Sequence, residues 1–426
     1  EARRERLARF YNDNYNNINN VYANHQLDNN GVARGIASLR GFHIMKTYKH
    51  LYDRLRSWKN IENAYWKARK RKINNPKVQE FDKHWRLHLC HLFRELRTRT
   101  YEPLKLQKFI LHDPKTRVIC VSDFRDRIVH HALINILQPI FEPRCIHDSY
   151  ASIRRKGTLS AIKRFDRLLR KVTRNGRLTT NAKNNNHVKG FALKADIKHY
   201  FDTVDQSILL GIIKRRVKDE DVLWLTQKIL NNYNSGAPGK GMPLGNWTSQ
   251  FFANVYLNEL DQYIKHKLKA KFYIRYVDDF VILHGSKAVL EEYEEKIRQF
   301  LTTLKLELHP TKCKIVALRR GISLLGFKAF YHYKLVRQRN VRKMRNKLKS
   351  LLELYEIRKT DNQKINDTLQ GWNAYAVHGN TYHLRQKIAE EVAKEIEERA
   401  KRRNSNQFLN CKPITDLREL RDCPQP

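Results

Sequence analysis

A chain of 426 residues, 41% of them hydrophobic, is long enough to bury two or three packed subdomains around a real core, and it should be globular. Lysine and arginine number 84 against 43 acidic residues, and a net charge of +41 demands a polyanionic partner. Basic residues recur from Arg3 to Arg9, Lys67 to Lys72, Arg164 to Lys171 and Lys334 to Lys349, which suits an enclosed phosphate backbone better than one lipid-binding patch.

No run of eighteen apolar residues occurs, Glu1 to Phe10 is charged, and the six cysteines form no CxxC pair. A spanning helix, a signal peptide, a zinc knuckle and a disulfide framework are thereby disfavoured, and a cytoplasmic protein without a membrane partner is expected.

Nine of the twenty residues from Tyr11 to Asn30 are asparagine, so residues 1–44 are expected to form a poorly ordered basic extension, with Met45 a natural start. Apolar and aromatic residues then fall at helical spacing over Tyr48 to Lys72 and again over Phe81 to Leu96, predicting two amphipathic helices. Lys105 to Cys120 reads as two strands around His112-Asp113-Pro114-Lys115, and a helix is expected from Asp126 to Leu137. Val172 to Gly190 is a polar loop leading to a strand that ends near Asp196. Gly236 to Gly245, with four glycines and two prolines, is a loop before a helix over Thr248 to Leu268. Phe272 to Leu283 carries two apolar runs divided by Asp278-Asp279, predicting a β-hairpin with charge at its turn. A helix over Lys287 to Leu304, a strand-like Gly321 to Val336 and helical, basic residues from Arg337 to Arg403 complete the chain. This mixed order fits an α+β fold rather than a regular βαβ alternation.

Chemistry concentrates at Tyr276-Val277-Asp278-Asp279, where two adjacent carboxylates lie between apolar strand segments and are expensive unless cations neutralise them. A strand delivering Asp196 to that pair would complete a site for two Mg²⁺ ions, which clamp the attacking and leaving oxygens of an in-line phosphoryl displacement. Taken alone, a YxDD tetrapeptide could equally decorate a solvated turn.

The surrounding residues resemble the palm motifs of reverse transcriptases, in the family's order. Arg117 to Arg127 with His130-His131-Ala132-Leu133 is similar to the fingers motif, Asp148-Ser149-Tyr150-Ala151 with Gly157 to the second, and Ala195-Asp196-Ile197 with Phe201-Asp202 to the third. Gly241-Met242-Pro243-Leu244-Gly245 with Ser249-Gln250 and Ala253-Asn254 resembles the fourth, Tyr276 to Asp279 the fifth, Leu308 to Lys312 the sixth, and Leu324-Leu325-Gly326-Phe327 the primer-grip turn. The resemblance implies a right-hand polymerase fold: fingers and ferredoxin-like palm over residues 45–335, a helical thumb over 336–403, and a tail over 404–426. It implies Asp196, Asp278 and Asp279 as catalytic metal ligands with the Ile197 carbonyl, two Mg²⁺ ions for which Mn²⁺ substitutes, and a primer grip of Leu325, Gly326 and Phe327. Around the dNTP it places Lys115 and Arg117 on the triphosphate, Phe201 as the ring excluding a ribose 2′-hydroxyl, Gln250, and Lys312 as general acid.

Leu244-Gly245 and Ser249-Gln250, where many bacterial relatives carry Gln-Gly and Ser-Pro, resemble the reverse transcriptases of diversity-generating retroelements, as does Val121 to Arg127. That resemblance implies error-prone copying at adenines of a template-repeat RNA into cDNA, for targeted gene diversification, with a DNA or cDNA primer and a small basic accessory variability protein as partner. The short stretch after Arg403 suggests no maturase or HNH domain. A group II intron-like or antiviral-defence reverse transcriptase would keep the same palm, and a catalytically silent RNA-binding protein on a polymerase scaffold would keep the same charge.

Overall fold

The structure is a computed structural model that describes residues 46–112, 116–176 and 188–410, with side chains to residue 402. The chain divides after Lys46, and everything below concerns the unit that begins at Thr47. The asparagine-rich stretch, Lys115, most of the polar loop before Gly190 and the tail after Asn410 lie outside the described residues.

The first helical region is more broken than its periodicity predicts. Tyr48 forms a parallel bridge with Val217, α1 covers only Tyr52–Leu55, and α2 covers Trp58–Arg69. Between them the Ser57 hydroxyl accepts from the Asn60 amide and caps α2, so a polar side chain ends one helix and starts the next. The second expected helix also divides, into α3 (Pro76–Lys83) and α4 (Trp85–Thr98), at His84, whose backbone is non-helical. Asn75 caps α3 and proline occupies its first turn.

Strands β1 (Gln107–His112) and β2 (Thr116–Val121) form the anticipated antiparallel hairpin. Helix α5 runs from Phe124 to Phe141, beyond the expected Asp126–Leu137 at both ends. Asp123 accepts from the Arg125 amide and sets its start, while Pro139 is tolerated close to its end. Three helices were not anticipated: α6 (Thr158–Val172), α8 (Gln206–Lys214) and α9 (Glu220–Asn231), with the short α7 (Tyr200–Thr203) before them. In α6 the buried Ala161, Ile162, Phe165, Leu168, Leu169 and Val172 keep helical spacing, but six residues of basic and acidic character interrupt the run and obscure it.

The central sheet has four antiparallel strands in the order β4 (Phe272–Tyr276), β5 (Asp279–His284), β3 (Phe191–Asp196), β6 (Lys314–Ala317). Helix α10 (Trp247–Gln262), continued by a π-helical turn over Tyr263–Lys267, precedes the β4–β5 hairpin, and α11 (Lys287–Thr303) links β5 to β6. The sheet is buried on both faces. Leu193, Ala195, Tyr273, Phe280 and Ile282 join a core with α5, α10 and α11, whereas the alternate residues Ala192, Ile274, Val281 and Leu283 join a second core with α6.

The strand-like stretch resolves into a three-stranded sheet, β7 (Ile322–Leu324), β8 (Phe327–Ala329) and β9 (Lys334–Val336). The helices α12 (Gln338–Glu356), α13 (Asn362–Ala376) and α14 (Tyr382–Asn410) then pack through Val341, Met344, Leu348, Ile365, Trp372 and Ile388. The whole is a mixed α/β architecture. Among the described residues no helix is long and apolar enough to cross a membrane, and Cys90, Cys120, Cys145 and Cys313 are free thiols.

Candidate active site

Strand pairing brings the carboxylates together. Asp196, the last residue of β3, stands directly opposite Asp279, the first of β5, while Tyr276 pairs with Asp279 across a two-residue turn of Val277 and Asp278. Val277 has φ +57°, a left-handed conformation that a β-branched residue rarely adopts. The register therefore puts one carboxylate on each of two adjacent strand ends and a third in a strained turn between β4 and β5.

Burial pushes the Asp278 carboxyl up to about 6; the charges of Asp279 and Asp196 add to the rise and Lys312 opposes it. Asp279 is raised as well, again by burial first, with Asp196 among the contributing charges. Like charges held this close in a poorly solvated place disfavour full ionisation unless a cation joins them. Lys312 supplies one: its Nζ lies 2.6 Å from Asp196 Oδ2. It arrives by way of a loop whose His309 amide donates to the Asp196 carbonyl at 2.7 Å, next to a bridge between Ile197 and Leu308.

Among the described residues as they stand, no group of three or more His, Cys, Asp and Glu side chains is arranged to hold a metal ion. The donor chemistry nevertheless fits one. Three mutually repelling carboxylates, with oxygen as their only ligand atom, suit a hard divalent cation such as Mg²⁺ or Mn²⁺.

The remaining candidates fall into three places. Phe201 is half-buried on α7, edge-on to Tyr200 at 5.4 Å, and its carbonyl accepts from the Met242 amide at 2.7 Å; the Gly241 amide reaches Val204 at 2.8 Å. The glycine-rich loop is thus zipped to the segment that follows Asp196. Gln250 is exposed on α10 and accepts from the Ser152 hydroxyl at 2.9 Å, which ties the fourth motif to the second. Arg117 is exposed on β2, opposite Leu111. The base of that hairpin is latched to the loop: the Cys120 amide donates to the Leu244 carbonyl at 2.9 Å, and the Ser122 amide to Asn246 Oδ1 at 3.0 Å. Gly245, at φ +130°, lies so close that a Cβ would come within 2.9 Å of Ile119 and 3.0 Å of Val121.

Part of the Val121 to Arg127 stretch is architectural. Asp126 is fully buried and accepts from the Tyr101 hydroxyl and the Leu104 amide at 2.9 and 2.8 Å.

The turn joining β7 to β8 consists of Leu325 and Gly326, both at positive φ (48° and 90°). Its Gly326 carbonyl accepts from the Arg337 amide at 3.0 Å, the Tyr375 hydroxyl at 3.1 Å and Asn340 Nδ2 at 3.4 Å. Phe327 packs against the Tyr375 ring at 4.8 Å. Tyr375 and Asn340 escaped sequence reasoning as supports of this turn; the helical reading of Arg337 to Arg403 covered both residues without naming what they would touch.

Comparison with known proteins accords with this arrangement. The family model described as reverse transcriptase (RNA-dependent DNA polymerase) matches residues 111–329, just over half the chain. The protein therefore belongs to the reverse transcriptase family and is a nucleotidyltransferase enzyme. It is 28% identical over 287 residues to protein YkfC of Escherichia coli (strain K12), covering 58% of this chain and 70% of YkfC. It is 23% identical over 307 residues to the group II intron-encoded protein LtrA of Lactococcus lactis subsp. cremoris, covering 55% of this chain and 48% of LtrA, about half of that relative's length. A solved telomerase structure from Candida albicans matches 71% of this chain and 61% of its own at 12% identity and a TM-score of 0.40, too low to add to the argument.

Proposed function

We propose that the protein is a right-hand polymerase that copies a template-repeat RNA into cDNA for a diversity-generating retroelement, with errors concentrated at adenines. The observation that carries the polymerase chemistry is the register of Asp196 against Asp279 with Asp278 in the intervening turn. In this reading β3 to β6 with α10 and α11 are the palm, whose strand order is that of a ferredoxin-like βαββαβ unit; β1 and β2 with α1 to α5 form the fingers, and α12 to α14 the thumb.

Asp196 and Asp278, with Asp279 beside them and the Ile197 carbonyl as a further ligand, would hold two divalent cations. When bound, these would neutralise charge on the primer 3′-oxygen and on the departing pyrophosphate. The chain's own part is to orient. Arg117, with Lys115, meets the triphosphate; the Leu325-Gly326-Phe327 turn carries the primer end; and Lys312, displaced from Asp196, is placed to protonate pyrophosphate. Phe201 fills the space a 2′-hydroxyl would need. Phe201→Ala is expected to raise incorporation of ribonucleotides by about tenfold or more relative to deoxynucleotides, about 1.4 kcal/mol of lost discrimination; single-nucleotide insertion kinetics with each sugar check this, and an unchanged preference removes Phe201 from the role.

Support for the diversity-generating subtype comes from Leu244-Gly245 and Ser249-Gln250, which line the loop and helix that grip the hairpin base and Ser152. The small basic accessory protein belongs to this reading. The likeness to LtrA favours a second one, an intron-type enzyme copying accurately. Primer extension on an adenine-rich RNA with dNTPs and Mg²⁺, followed by sequencing of the cDNA, separates them: errors at template adenines support the first and faithful cDNA the second. No cDNA even with accessory protein would point to a silent RNA-binding protein.

A further inference from the structure

Among the described residues the largest fully buried side chain is a cation, Arg275, two residues before the strained Val277. Its guanidinium meets Asp261 of α10 as a fork, Nε to Oδ1 at 2.7 Å and Nη2 to Oδ2 at 2.6 Å. Its remaining nitrogen, Nη1, donates to Asn254 Oδ1 at 3.2 Å and to the Val277 carbonyl at 3.0 Å. Asp261 is itself fully buried and also accepts from the Tyr273 hydroxyl at 2.6 Å. A buried ion pair of this kind adds little net stability over apolar residues of the same volume, so its presence asks for another explanation.

The Val277 carbonyl belongs to the peptide unit that leads into Asp278. A hydrogen bond from a fixed guanidinium sets the plane of that peptide, and with it the direction in which the Asp278 side chain leaves the turn. Arg275 also reaches the second motif through its backbone, its amide donating to the Asp148 carbonyl at 2.9 Å and its carbonyl accepting from the Tyr150 amide at 3.1 Å. Asn254 Nδ2 meanwhile donates to the Ala151 carbonyl at 2.7 Å. The same network therefore joins α10, the segment that carries Ser152 and holds Gln250, and the catalytic turn.

We propose that Arg275 is a positioning residue: through the Val277 carbonyl it holds the strained turn in the one orientation that aims Asp278 at the divalent cation, with Asp261 and Asn254 fixing the guanidinium. This rests on the polymerase reading of Asp278. Lysine in its place keeps the charge beside Asp261, but one ammonium lacks the planar fork that engages Asp261 and the Val277 carbonyl together.

The test uses the full chain with Arg275→Lys and, as a milder change that leaves the ion pair intact, Asn254→Ala. Two readouts are taken: Mn²⁺ binding by electron paramagnetic resonance, without substrate, and kcat against KM for dNTP in primer extension. The expected result is that Arg275→Lys weakens Mn²⁺ binding several-fold and lowers kcat by tenfold or more at saturating dNTP, with KM within twofold and the thermal unfolding transition still cooperative; Asn254→Ala shifts both in the same direction by less. Unchanged Mn²⁺ affinity in folded Arg275→Lys overturns the proposal, and should that variant not fold, unchanged affinity in Asn254→Ala does so. A wild type that binds Mn²⁺ with Arg275-dependent affinity yet makes no cDNA would refute the polymerase reading while leaving the positioning role standing.

Discussion

Asp278→Asn is expected to reduce cDNA synthesis by about a thousandfold, the scale of losing some 4 kcal/mol of charge stabilisation in the transition state. RNA affinity should stay within about twofold, because backbone phosphates are held by a basic surface that the change does not touch. Stability should move the other way. Burial, with two neighbouring carboxylates, holds the Asp278 carboxyl up at about 6, so in the folded protein its ionised form is disfavoured. An acid whose folded value exceeds its unfolded one destabilises the fold as pH rises through the ordinary carboxylate range to about 6, and that loss is complete at pH 7. Asparagine carries no such charge. In EDTA the variant should therefore melt above the wild type at pH 7 and no differently at pH 3.5. Thermal melts at the two pH values, beside primer extension and filter binding of RNA, give all three results; loss of RNA binding together with activity would deny Asp278 a purely chemical role.

The second large effect is expected at the turn between β7 and β8. At Gly326, φ is +90°, and an added Cβ would overlap the Tyr375 hydroxyl and come within 2.9 Å of Asn340 Nδ2. These two groups also donate to the Gly326 carbonyl, so the same atoms that anchor the turn to α12 and α13 forbid a side chain there. Gly326→Ala should cost about 2 kcal/mol, from the left-handed backbone together with the displacement of both donors. The functional loss should exceed the stability loss, since the turn would leave its place against the helices: extension from an annealed primer should yield short products at protein concentrations where the wild type completes the template. Tyr375→Phe, which removes one donor and no space, should show the same shortening in weaker form. Full-length products from folded Gly326→Ala would separate this turn from the primer.

The carboxylate site was legible because its chemistry is local in sequence. Asp278 and Asp279 are adjacent and short apolar runs mark the strands around them, so the register that brings in Asp196 follows once the strands pair. The helix breaks at Ser57 and His84 were not legible in the same way, since apolar spacing continues across both; the Ser57 hydroxyl caps the new helix at the first, and a non-helical backbone breaks it at the second. Arg275 was missed for a different reason. In a chain with 84 basic residues one more arginine draws no notice, although a lone charge within the otherwise apolar and aromatic Phe272 to Tyr276 was a usable signal that a buried acid must be near. Lys312 was read as a partner of the nucleotide, and the structure adds that its resting contact is Asp196.

That resting contact bears on how the molecule is made. In a zinc finger the chain stays unfolded until metal arrives, because nothing else offsets the gathered ligands. Here the loop before β6 brings its own ammonium to the end of β3 as β3, β5 and β6 come together, so the central sheet can reach its final packing without waiting for a cation. Loading then becomes an exchange of one positive charge for another at a finished site, and a protein prepared without divalent ions should be a folded, storable precursor of the working one.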